Sequence, residues 1–327
     1  MNSKIYYINS VKRIMFYDDD IVFLKSLISI YTLNGKNIAL LVKDIISQFE
    51  HGSSILTAKE ILSNKYTIKS IDKIIDTFLH KQILTEFKNE NLTDDIKFIS
   101  EFKGDLSQLN SLSKNIKLGI ISSYSMVDDI LSILDDVSFI NNINLLNVDC
   151  NTQKSIYRDY SNINIKSFNN DKDKSTQIYD LLNESTFIIV SLDEFNDILL
   201  DEINNFSIEL RKPWLKSVIN NIKGEIGPLI IPKKTPCYEC YKSRCSDNIL
   251  DKNLIIFNQI KKDFYPIESG YLPSFIKVNI GILMTEAIKY LSDIECELKG
   301  NILNINYLTY ETSIHPLIKV HNCRCQE

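Results

Sequence analysis

The 327 residues carry 44% hydrophobic and 24% charged side chains with a formal net charge of −5, an ordinary balance for a globular protein with room for two domains. The negative balance speaks against nucleic acid as the main partner. No run approaches about 18 consecutive apolar residues, and no basic start precedes an apolar stretch, so neither a membrane span nor a secretory signal is expected. A cytoplasmic protein is predicted, and in that compartment seven cysteines point to metal binding ahead of disulfides.

Taken in chain order, three short β-branched or aromatic runs come first: Arg13–Tyr17, Ile21–Lys25 and Leu27–Leu33. The triplet Asp18-Asp19-Asp20 splits them and Asn34-Gly35 closes them. The period then becomes helical. Ile38, Leu41, Val42, Ile45, Ile46 and Phe49 share one face, and His51-Gly52 ends that helix. A short second helix begins near Thr57, which with Glu60 has the spacing of a capping box. A third carries Ile68, Ile71, Ile74, Ile75, Phe78 and Leu79 on one side. Three strands and three helices predict a winged-helix-like module over residues 1–86, and the polar stretch 87–114 reads as a linker. From residue 115 strands and helices alternate. Strands are expected at 117–122, 144–148, 186–192, 213–219 and 227–231, and helices at 126–134, 201–210 and 275–291. The last strands fall at 301–305 and 308–312. Such alternation predicts a mostly parallel sheet covered on both faces.

Cys237 and Cys240 in TPCYECYKSR, with Cys323 and Cys325 in HNCRCQE, form two bites of two or three positions. Two such bites supply the four sulfurs of a closed, structural zinc site with no position open for water. Cys245 and His321 are spare ligands should Cys325 not reach. Cys150 and Cys296 each stand alone in an apolar stretch and read as small buried hydrophobes.

The segments TFIIVSLDEFN at 186–196, RKPWLKSVINNIKGEIGPLIIPKKTPCYECYKSR at 211–244, SFIKVNIGILMTEAIKYL at 274–291 and the terminal NCRC resemble, in this order, the ThiF-like fold of ubiquitin-activating enzymes. They resemble in particular the ocin-ThiF-like and cyclodehydratase C proteins of thiazole/oxazole-modified peptide biosynthesis. The likeness covers the last 140 or so residues well and 115–150 loosely. It implies a Rossmann-type domain over 115–327 with zinc on four cysteines, although relatives often carry Cys-x-x-Cys where this chain ends in Cys-x-Cys. The N-terminal module resembles in shape the recognition element that grips leader peptides of ribosomally made precursors.

An adenylating ThiF-like enzyme needs backbone N–H groups close to ATP phosphates, and glycines at the first strand-to-helix turn permit that approach. Only 9 glycines occur in the chain, and the turn Ser122–Met126 has none, since Gly119 lies inside the strand. Asp149 stands where a ribose-binding acid would sit, and Asp193 where the resemblance puts a magnesium-binding acid. Both also read as ordinary loop or capping residues. ATP is therefore not expected as a cofactor, and a non-catalytic role is predicted. The third strand offers an edge for strand addition through Leu27, Ile28, Ser29, Ile30, Tyr31 and Thr32. The neighbouring helix adds Lys73, Thr77, His80 and Lys81, whose cations suit an acidic leader and equally describe a solvated helix face. The resemblance implies a separate YcaO-type cyclodehydratase as partner, a flavin dehydrogenase in thiopeptide-type clusters, and a homodimer paired across its sheets. The alternative is an ATP-dependent adenylating enzyme acting on a peptide.

Overall fold

The computed structural model describes residues 4–9, 12–26, 29–86, 92–103, 115–149, 160–168, 172–220, 222–247 and 272–326. The chain divides into two compact units, 1–111 and 112–327.

In the first unit the strands β1 (Ile5–Ile8), β2 (Arg13–Phe16), β3 (Ile21–Lys25) and β4 (Ile30–Asn34) precede α1 (Ile38–Phe49). Then follow β5 (Ser53–Ser54), α2 (Ile55–Leu62), α3 (Ile68–His80), β6 (Leu84–Thr85) and α4 (Asp94–Lys103). Two small antiparallel sheets result, in the orders β2-β3-β4 and β5-β1-β6. The apolar stripes of the three central helices meet in one core around Val42, Ile45, Phe49, Ile71, Ile75 and Phe78, all fully or almost fully buried. α2 is capped by Ser54, whose side chain accepts the Thr57 N–H, so the cap lies three residues before the expected Thr57. Thr67 caps α3 in the same way.

The third strand starts later than expected. Leu27 and Ile28 lie outside the described residues, and Ser29 belongs to a turn in which the Ser26 N–H donates to its carbonyl at 2.9 Å. The stretch 87–114 is also not irregular throughout, because α4 occupies part of it. Ile99 on α4 is fully buried, and Glu101 pairs with Lys12 with side chains only 3% and 7% exposed. A charged helix that sequence pattern assigns to solvent is anchored here by one apolar residue and one buried ion pair.

The second unit holds β7 (Lys117–Ser122), α5 (Tyr124–Asp135), β8 (Asn142–Asn147), β9 (Asn164–Ser167), α6 (Lys174–Glu184) and β10 (Phe187–Leu192). It continues with α7 (Asp197–Leu210), β11 (Trp214–Asn220), β12 (Lys223–Ile230), α8 (Tyr238–Asp247), α9 (Pro273–Leu291), β13 (Asn301–Asn306) and β14 (Thr312–Pro316). One eight-stranded sheet runs in the order β14-β13-β12-β11-β10-β7-β8-β9. The stretch from β11 to β9 is parallel, as alternation predicts, whereas β12, β13 and β14 join antiparallel. The final strand is displaced from 308–312 to 312–316, because a turn closed by the Asn306 N–H on Glu311 O, with Tyr310 at φ 60, occupies the expected position. β9 and α6 escape the sequence pattern: one is very short and the other is polar on most of its surface. Gly119 in β7 earns its place by packing, since a Cβ there would lie 2.7 Å from Ser185 Oγ and 2.8 Å from Leu181 Cδ2. Among the described residues no helix is long and apolar enough to cross a membrane.

Candidate functional site

The register of β2-β3-β4 fixes which main-chain groups of β4 turn away from β3. Tyr31 and Leu33 stand opposite Leu24 and Val22, and the flanking pairs Ser26–Ser29 and Asp20–Gly35 are joined by main-chain hydrogen bonds. Hydrogen-bonded and non-bonded pairs alternate in an antiparallel ladder. Tyr31 and Leu33 therefore bond to β3, and the N–H and C=O groups of Ile30 and Thr32 point to the open edge. Side chains alternate the other way: Leu33 is buried with Val22 and Leu24, while Ile30 is 61% exposed.

Beside this edge lies α3. A cavity of about 700 Å³ is lined by Tyr31, Thr32 and Leu33 of β4 and by Ser70, Lys73 and Ile74 of α3. A smaller one of about 240 Å³ is lined by Ser29, Tyr31, His80, Lys81, Glu101 and Phe102, among others. Tyr31 belongs to both, so strand and helix run antiparallel along one seam. Lys81 Nζ sits 4.8 Å above the Tyr31 ring, and the half-buried Thr77 donates its hydroxyl to Lys73 O at 2.7 Å. Of the ten residues expected to meet a peptide, eight are described; Ser29, Tyr31, Thr32, Lys73, His80 and Lys81 line these two cavities, and Ile30 and Thr77 line neither. Sequence reasoning missed α4, which closes one end of it through Glu101 and Phe102; a lone buried isoleucine in a polar stretch gives too weak a period to find.

In the second unit the strand order reverses between β7 and β10, and α/β sheets bind ligands in the crevice beyond the strand ends at such a point. Ser123 follows β7 there and Asp193 follows β10. The hydroxyls of Ser123 and Ser125 donate to the two carboxylate oxygens of Asp193 at 2.8 and 2.9 Å. The Tyr124 N–H, at the start of α5, donates to Asp149 Oδ2 at 2.7 Å. A helix N-terminus is where a phosphate would be cradled, and here a carboxylate of the same chain takes that N–H. Burial raises the Asp149 carboxyl above the ordinary carboxylate range, the Tyr124 bond opposes this, and Asp193 repels it further. The acids that sequence analysis singled out are thus brought together, each engaged by the glycine-free turn.

The four cysteines meet as well. α8 begins directly after Cys237, which places Cys237 just ahead of its first turn and Cys240 on it, and the C-terminal tail brings Cys323 and Cys325 against them. All four are buried, with their sulfurs within 4.8 Å of one another. Three of the pairs are separated by 3.9, 3.4 and 3.7 Å. Tetrahedral bonds of about 2.3 Å to zinc require sulfurs about 3.8 Å apart. Val320 N–H donates to Cys240 Sγ at 3.3 Å, the kind of outer contact that orients a metal ligand. Burial pushes the Cys237 thiol up to about 11 and raises Cys323 too; a divalent cation at the centre would reverse this by stabilising thiolates. The group therefore has the donor set and spacing to hold a metal ion. Cys296 is buried apart from the cluster, Cys150 lies outside the described residues, as does the side chain of Cys245, and His321 is not among the four.

No curated protein matches the sequence. Among solved structures the chain is similar to the heterocyclase TruD, with TM-score 0.65 at 17% identity over 96% of this chain. It spans 41% of that chain's length, and 39% of a related structure of a heterocyclase in complex with substrate and cofactor. E. coli MccB with AMPCPP and MccA superimposes with TM-score 0.72 at 14% identity over 99% of this chain and 100% of that one. MccB with ATP gives TM-score 0.69 at 15% identity, covering 99% of this chain and 100% of that one. At these identities the likeness is one of fold. The ThiF family model matches residues 152–327, beginning after β8, so the turn that would cradle phosphates lies outside it. With more than half of its length matched by that model, the chain belongs to the ThiF family.

Proposed function

We propose that this chain binds the leader peptide of a ribosomally made precursor as a strand added to β4. It then presents the precursor to a separate YcaO-type cyclodehydratase, which carries out the ATP-dependent conversion of Cys or Ser/Thr to azolines. A flavin dehydrogenase that oxidises thiazolines joins the same assembly, and the scaffold itself is a cytoplasmic homodimer. The observation that carries this reading is the open β4 edge beside α3, with two main-chain donors directed outward along a cavity large enough for a peptide. The likeness in fold to a heterocyclase supports it.

Zinc is the metal proposed for Cys237, Cys240, Cys323 and Cys325. Four sulfurs complete its coordination, so it ties the tail to α8 and supplies folding free energy without taking part in chemistry. ATP is not required by this chain, because Asp149 already satisfies the N–H at the start of α5 and the Ser122–Met126 turn lacks glycine.

A second reading, an ATP-dependent adenylating enzyme acting on a peptide, draws on the full-length likeness to MccB, solved with ATP, and on the position of Asp193 at the strand-order reversal. Reconstitution separates the two. The scaffold reading predicts that the chain raises azoline formation on a leader-bearing precursor by its YcaO partner and releases no pyrophosphate alone. Precursor-dependent pyrophosphate release by this chain alone would establish the second reading.

A further inference from the structure

The peptide-binding reading leaves open what kind of peptide enters the seam, and the charges along it answer that. Lys73 and Lys81 are exposed, and among the described residues neither has a carboxylate within ion-pair distance; Lys81 rests on the Tyr31 ring instead. Three other lysines of the first unit are neutralised, in Lys4–Glu86, Lys59–Asp72 and Lys65–Asp44, while Lys25 and Lys36 line the same two cavities from the strand side. Glu101, the acid lining the seam, is buried against Lys12. On the α3 side, two uncompensated cations thus face the strand edge in a chain of net charge −5.

Their spacing carries the argument further. Lys73, Thr77 and Lys81 fall four residues apart and so form one stripe at the side of α3. Eight residues of helix at about 1.5 Å each separate the two lysines by about 12 Å. An extended chain rises about 3.3 Å per residue, so this distance equals nearly four residues of an added strand. Four is even, and alternate side chains of a strand share a face. Both partners therefore lie on the face of the added strand that Tyr31 and Leu33 mark, the face toward α3. A spacing of three or five would turn one of them away.

We infer that the seam selects an acidic extended peptide bearing carboxylates at positions i and i+4, one for Lys73 and one for Lys81. This inference rests on the strand-addition reading and adds the recognition pattern to it. The complex is expected to weaken with rising salt, since both cations remain near solvent.

The test uses the full chain and fluorescein-labelled, end-capped nonapeptides of alternating threonine and valine, with two glutamates placed four, three or five positions apart. Fluorescence anisotropy is measured beside the leader of the precursor encoded next to this gene. The other two peptides each keep one of the two near-surface ion pairs, so loss of the second predicts about two- to fivefold tighter binding for the i,i+4 peptide. The double variant Lys73→Gln/Lys81→Gln should erase that preference while leaving the melting temperature in place. Equal binding of the three peptides, or a preference that survives in the double variant, overturns the pattern. If the leader binds but ignores the double substitution, strand addition stands and the acidic pattern falls. If neither leader nor nonapeptides bind, the strand-addition reading falls with it.

Discussion

Two clefts of this chain, one in each unit, have opposite relations to ligand. Among the described residues the seam between β4 and α3 is left unfilled: the N–H groups of Ile30 and Thr32 face outward, and Lys73 and Lys81 have no carboxylate partner. The crevice at the ends of β7 and β10 is filled from within, with Asp149 on the Tyr124 N–H and Asp193 holding the Ser123 and Ser125 hydroxyls. A sheet that reverses strand order still builds the crevice, because the topology is what packs the core. Whether a phosphate enters depends on a few side chains at its rim, and those can change while the fold persists.

The largest expected effect lies outside both clefts and tests what holds the second unit in shape. Cys237→Ser should abolish stoichiometric zinc in purified protein, measured by atomic emission, and remove several kcal/mol of stability or soluble protein altogether; full metal content would contradict the cluster's assignment. Next comes the end of the first cleft that α4 closes. Glu101→Ala leaves Lys12 buried without its partner and should cost about 3–5 kcal/mol in denaturant unfolding. A loss under about 1 kcal/mol would return α4 to the surface. Ile30→Pro removes an outward donor at the first residue of an edge strand, where proline is best tolerated. It should weaken leader binding about five- to tenfold with unchanged zinc content, and an unaltered affinity would remove β4 from the binding site.

The smallest effect concerns the second cleft. The Asp149 carboxyl is raised in the folded protein above its unfolded value. Its contribution to stability is therefore complete below the ordinary carboxylate range and lost as pH rises through the folded value. Asp149→Asn keeps an oxygen for the Tyr124 N–H without the charge. It should melt slightly higher than the parent at neutral pH, with the difference vanishing near pH 3 to 4. A lower melting temperature at neutral pH would show that the charge itself is needed there.

Much of this was legible in the sequence, for identifiable reasons. The helices α1, α3 and α9 bury a face of isoleucine, leucine and phenylalanine, so their period is strong. The cysteine pairs were legible because metal bites have short fixed spacings, and the glycine-free turn because phosphate approach needs missing side chains. The almost fully buried β7 and the fully buried β10 read as continuous apolar runs. What stayed hidden depends on tertiary context. α4 is held by Ile99 and one ion pair 89 residues apart in sequence, which no local pattern reports. The third strand begins at Ile30, and the bond from the Ser26 N–H to Ser29 O that precedes it leaves no mark in the run of apolar residues. Nor does sequence show that Asp149 lies against the start of α5, a contact spanning 25 residues.

The proposed function sets a seam open to peptide beside a crevice at β7 and β10 that Asp149 and Asp193 fill from within. It is tested most directly by fluorescence polarisation of the labelled leader of the neighbouring precursor against the full-length protein, with and without ATP and magnesium. The account predicts tight binding that is the same in both conditions and is lowered by Ile30→Pro. Binding that appears only with ATP, accompanied by pyrophosphate release, would contradict it and make the chain an adenylating enzyme.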